Sequence, residues 1–150
     1  MSRRSSLLLP RTYALAATLA ACAPAGPSPI AYGAAECAQC RMQVDDRRFG
    51  AELVSDKGKT YVFDSVECLA TYWHDHDGAA ARGAWVTDFA RPGTLVRVDS
   101  AAFFRAGGPV SPMGRGYVAT AMGTRPPAML TVIAGPLRWS DVVQQLEGGL

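Results

Sequence analysis

Residues 49–73 read FGAELV-SDKGK-TYVF-DS-VECLATYW, and this stretch decides the fold. Residues 49–54 alternate apolar with small or polar side chains, and residues 60–63 are rich in β-formers. The cluster Ser55-Asp56-Lys57-Gly58-Lys59 lies between them, so the pattern predicts a β-hairpin. Asp64-Ser65 then offers an N-cap. Val66, Leu69, Ala70 and Trp73 recur at helical spacing, and Glu67 lies in the first turn, where the helix dipole favours it. Gly78 closes this helix, and residues 84–89 alternate again as a strand returning to the sheet. The unit is ββαβ.

Downstream, Arg91-Pro92-Gly93 breaks the chain and residues 95–98 form a short strand. Residues 99–104 read as a helical turn or an irregular apolar link. Strands are predicted at 116–122 and 128–133, with a turn over 123–127 between them; Gly135-Pro136 ends the second. A last helix begins at Ser140 or Asp141, with Trp139, Val142, Val143 and Leu146 on its stripe. Those offsets repeat the first helix, and a methionine in a turn, Met42 or Met113, precedes each hairpin. The pattern therefore suggests an α+β fold of two small related ββαβ units packed together, residues 36–92 and 93–150.

Upstream of the hairpin stands Cys37-Ala38-Gln39-Cys40-Arg41-Met42. Thiol and thioether sulfur are soft donors, which select Cu(I), zinc and iron–sulfur clusters over hard cations. Residues i and i+2 of an extended chain share a side, so Cys40 and Met42 can face one ion. A turn at Ala38-Gln39 brings Cys37 to join them. Thioether help suggests Cu(I) more than zinc, whose sites are built of Cys and His. Other readings stay open. A c-type haem needs histidine where Arg41 stands. A thioredoxin-like pair needs a helix start, whereas this one follows a proline-rich stretch. Zinc needs a fourth ligand from Cys68, His74 or His76.

Cys68 lies beside the helical stripe and reads as a small core hydrophobe, with disulfide partner or ligand as alternatives. His74 and His76, among Asp75 and Asp77, read as a solvated helix terminus. Met113, between Pro112 and Gly114, sits on a tight turn as either donor or core plug. Met122 and Met129 fall on predicted strands and read as core. No Gly-x-Ser-x-Gly, phosphate-binding loop or His-Glu-x-x-His occurs, so the chain reads as a binding protein without turnover.

Arg3, Arg4 and Arg11 precede a short alanine-rich apolar run, residues 13–21, which reads as a secretory signal and is too short to span a membrane. Removing residues 1–21 takes the formal charge from +2 to −1, so no basic patch argues for nucleic acid. Leu19-Ala20-Ala21-Cys22 resembles a bacterial lipobox, which implies lipidation at Cys22. Residues 22–35, with three prolines, then read as a flexible tether. With Cys22 lipidated, Cys37, Cys40 and Cys68 remain, and at most one disulfide forms among them.

Taken together, the lipobox, Cys37-x-x-Cys40-x-Met42, Phe63-Asp64 leading to Cys68, Trp85-Val86-Thr87-Asp88 and Ser111-Pro112-Met113-Gly114 with Gly116 resemble the NosL family of lipoproteins. That family is associated with nitrous oxide reductase maturation. The resemblance implies a periplasm-facing, lipid-anchored protein that binds one Cu(I) and delivers it toward the reductase. Ala23 after the lipid cysteine leaves outer-membrane anchoring open. It further implies Cys40, Met42 and Met113 as ligands, with Cys37 less firmly assigned. Family members commonly carry glycine where Arg41 stands, so the local turn is expected to differ. A thiol–disulfide oxidoreductase using Cys37 and Cys40, and a structural lipoprotein stapled by a disulfide, are the competing functions.

Overall fold

The computed structural model describes residues 26–108 and 110–147. The hairpin and helix stand where the sequence puts them: β1 (Ala51–Val54) and β2 (Thr60–Phe63) pair antiparallel, and α1 spans Val66–Asp75. Ser65 is the N-cap, its hydroxyl accepting the Cys68 N–H at 3.2 Å. β3 (Gly83–Thr87) pairs with the other edge of β1, and β4 (Leu95–Arg97) extends the sheet to the order β2-β1-β3-β4. The first sheet therefore runs past the boundary expected at residue 92.

The second sheet holds β5 (Ala101–Ala106), β6 (Tyr117–Ala121) and β7 (Val132–Leu137) in the order β6-β5-β7, and α2 spans Trp139–Leu146. Residues 99–104 are not a helical link: Val98–Ser100 makes one 3-10 turn and Ala101 opens the central strand. β7 starts later than expected and carries Gly135-Pro136 within it rather than after it. The protein is α+β, with two antiparallel sheets and two helices. In both sheets the first strand lies between the next two, but α2 follows β7, so the element order of the second unit is βββα rather than ββαβ.

Period-two alternation explains the core. Ala51, Leu53, Ala84, Val86, Ala101, Phe103, Tyr117 and Ala119 turn to one face of the sheets and are buried with Leu69 of α1 and Val142 and Leu146 of α2. Phe104 and Val118 point the other way, into a smaller cluster with Phe49 and Phe89. Burying each such side chain stabilises the fold by about 1.5–3 kcal/mol. The helices meet where Trp73 and Trp139 pack edge to face at 5.5 Å. The sheets join where Asp88 bridges Ala119 and the Phe89 N–H donates to the Ala119 carbonyl at 2.8 Å. One continuous core thus spans both units.

The segment expected to be a tether docks on this body. The Ser28 N–H donates to both oxygens of the buried Glu52 carboxylate (3.0 and 3.1 Å). Ile30 and Tyr32 pack on the core, and the Tyr32 hydroxyl lies 3.3 Å from Thr87 Oγ1. Any tether ends before Ser28. Cys22, the lipobox and the signal lie outside the described residues. Among the described residues no helix is long and apolar enough to cross a membrane.

Candidate metal centre

The Cys-x-x-Cys segment is a tight loop fastened to the hairpin. The Cys37 N–H donates to the Met42 carbonyl (2.8 Å), the Arg41 N–H to the Cys37 carbonyl (3.1 Å), and the Ala38 N–H to the Val62 carbonyl on β2 (2.8 Å). Arg41 has φ +67°, the left-handed conformation that glycine adopts freely. The turn expected to differ is therefore compatible with a glycine-type backbone, with arginine bearing the strain. The exposed Arg41 side chain pairs with Glu36 at 2.6 Å.

This loop lies against the junction of β2 and α1. Asp64 ends the hairpin just before the Ser65 cap, and Cys68 sits one helical turn further on, so both face the same way. As a result Cys37, Cys40, Asp64 and Cys68 each bring a ligand atom within 4.8 Å of the others. The thiols of Cys37 and Cys40 lie 3.5 and 3.4 Å from the two different Asp64 oxygens. All three cysteines are free thiols. Cys37 and Cys68 are 0% exposed and Asp64 3%, whereas Cys40 is half-buried.

The thiols differ electrostatically. A hydrogen bond from the Cys68 thiol, helped by backbone N–H groups, lowers the Cys37 pKa to about 6 against the effect of burial. Burial first, and then the adjacent Cys37, pushes Cys40 up to about 11. Cys68, donating to Cys37 and buried, is also pushed up. A disulfide-exchange centre needs an accessible thiolate as nucleophile. Here the lowered thiol is enclosed and the accessible one is raised, which runs against that use. A soft cation held between sulfurs would offset part of the negative charge of the thiolates, and buried charges are paired or coordinate metals.

Of the sulfurs singled out in the sequence, the fold brings Cys37 and Cys40 into this cluster. Met42 is 46% exposed beside it, and its N–H favours the Cys40 thiolate. Met113 sits on the turn closed by the Gly114 N–H to Ser111 carbonyl bond (2.9 Å) and is half-buried against the main core, the cluster of side chains that also holds Cys37 and Cys68. Cys68, read first as a core hydrophobe with ligand as an alternative, and Asp64, read only as part of the N-cap, complete the cluster. Their spacing of four at a helix start was the available signal. His74 and His76 are exposed at the helix end, as read, and His76 stacks on Tyr72 with ring centroids 4.1 Å apart. Met122 and Met129, read as core, are 67% and 81% exposed, because the chain after β6 runs over the surface.

No model of a known protein family matches this sequence, and no curated protein sequence matches it. The fold is similar to the crystal structure of the copper chaperone NosL from Shewanella denitrificans. The TM-score is 0.54 at 18% identity, covering 67% of this chain and 81% of that one. At that identity the likeness concerns the fold alone. It leaves the ligand set to be argued from this chain's own donors, three thiols and one carboxylate, which suit soft and borderline ions rather than the hard alkaline-earth ions.

Proposed function

We propose that this protein is a Cu(I) carrier, a binding protein without turnover, that takes the ion on sulfur from Cys37, Cys40, Met42 and Met113. The observation that carries the reading is the convergence of three free thiols within 4.8 Å at the loop–helix junction. Thiolate selects a monovalent soft ion, and neutral thioether holds it weakly enough to release it. The fold likeness to a copper chaperone supports the same reading. The lipobox-like Leu19-Ala20-Ala21-Cys22 supports lipid anchoring at Cys22 facing the periplasm, and the family resemblance supports delivery of the copper toward nitrous oxide reductase maturation.

Anaerobic titration against a chromophoric Cu(I) chelator tests the binding. One equivalent should be taken up, with a large loss of affinity in Cys40→Ser. No uptake, together with turnover on a disulfide substrate, would favour the oxidoreductase instead. Transfer of the bound copper to the copper-free reductase tests the destination, and the mass of the exported protein, wild type against Cys22→Ala, tests the anchor.

A further inference from the structure

The cluster is graded in depth. Met42 is 46% exposed, Cys40 half-buried, and Cys37 and Cys68 0% exposed. An ion from solvent meets the Met42–Cys40 rim before it reaches the other two thiols. The loop that carries the rim is held by backbone bonds at Cys37, Ala38 and Arg41, so this order does not depend on loop opening. Donor strength is graded too, because a thiolate holds a soft cation more firmly than a neutral thioether does.

We infer that the site has two metal positions sharing Cys40: a rim position with thioether sulfur, where Cu(I) is exchanged, and a buried resting position made by Cys37, Cys40 and Cys68. This rests on the Cu(I) reading above. Cys68 is then a ligand rather than a core filler. Asp64, a hard oxygen donor, accepts thiol hydrogen bonds and is not a copper ligand. The ion stays monovalent throughout. Each thiol entering its coordination gives its proton to solvent, and the thioether departs as a neutral group, so no oxidant or reductant is needed. Release runs the sequence backwards, with Met42 holding the ion at the rim while it leaves Cys37 and Cys68.

Selenomethionine-labelled protein loaded with one Cu(I), read by copper X-ray absorption, separates the two positions. In wild type the copper should have sulfur neighbours and no selenium neighbour. In Cys68→Ser the ion should fall back to the rim and show selenium, with affinity lower by at least about 100-fold, above what changes outside the ligand shell cost. Met42→Ala should slow Cu(I) uptake about tenfold, because the ion then meets no thioether at the rim, and the rate of loading reads this directly. Circular dichroism checks that Cys68→Ser is folded, and Cys68→Ala replaces it if it is not. A selenium neighbour in the wild-type protein, or a Cys68 variant of unchanged affinity, overturns the two positions and leaves the carrier reading standing. Failure of wild type to bind Cu(I) overturns both.

Discussion

The buried Glu67 carboxylate accepts the hydroxyl of Ser111, a residue 44 positions further along the chain. The same oxygen accepts the Tyr117 N–H at 3.3 Å, and Ser111 Oγ accepts the Gly116 N–H at 3.0 Å. Glu67 directly precedes Cys68, and Ser111 to Gly116 is the loop that carries Met113. One carboxylate therefore ties the thiol-bearing turn of α1 to the loop with the distant methionine.

Replacing Glu67 with Leu leaves buried donors on Ser111 and Tyr117 without their acceptor, and should cost about 2–4 kcal/mol. Glu67→Gln keeps an acceptor oxygen and should cost about 1 kcal/mol or less. Denaturant unfolding of the two variants checks this, with hydrogen exchange at Gly116 and Tyr117 reporting the loop. Equal losses in both variants would mean that the charge, not the acceptor, matters.

Gly116 has φ +77°, and a Cβ there would lie 2.3 Å from the Ala106 carbonyl oxygen. Gly116→Ala should destabilise by about 2–4 kcal/mol, because the strand backbone has to move. Gly123 has a similar φ, +83°, with nothing within 4 Å. Gly123→Ala should lose only about 1 kcal/mol, the left-handed penalty alone. Thermal unfolding of the pair isolates the steric part.

Arg41 tests the left-handed loop position. A β-branched residue suffers more there than arginine does, so Arg41→Val should cost about 1–2 kcal/mol. Arg41→Gly relieves strain but adds unfolded-state entropy and loses an exposed ion pair, and should stay within about 1 kcal/mol of wild type. Denaturation midpoints of the three proteins give the order; a Val variant as stable as the Gly variant would mean the loop relaxes out of this conformation.

Burial pushes the Glu52 carboxyl above its ordinary value, opposed by the Ser28 N–H. A raised folded-state pKa favours the protonated form in the native protein. The associated stability is present below the ordinary carboxylate value, about 4.3, and is lost as pH rises through the folded pKa. Uncharged Glu52→Gln should therefore gain on wild type between pH 4 and pH 7. Unfolding free energies of both proteins at the two pH values check this; a gap that does not change with pH would remove Glu52 from the account.

Local pattern made much of the fold legible. The hairpin, the Ser65 cap and α1 follow from short-range alternation and spacing, which act before any long-range contact forms. β5 escaped the same reading because Ala101-Ala102-Phe103-Phe104 shows no alternation. Phe103 fills the main core and Phe104 the second cluster, so the strand is buried on both faces and its period vanishes. The exposure of Met122 and Met129 was hidden for the converse reason: the sequence around them is apolar, but the sheet ends before it covers them.

The chain's own order of residues determined the soft-donor chemistry: cysteines three apart, a methionine two beyond, and two further sulfurs at Cys68 and Met113. It also determined that a hairpin and helix would follow. Only the tertiary structure decided which sulfurs meet. Cys37 and Cys68 are 31 residues apart, and no local periodicity relates a loop before the first strand to the face of a later helix. Their meeting depends on how the loop packs against the sheet and helix, through the Ala38 bond to β2 and the Ser65 cap.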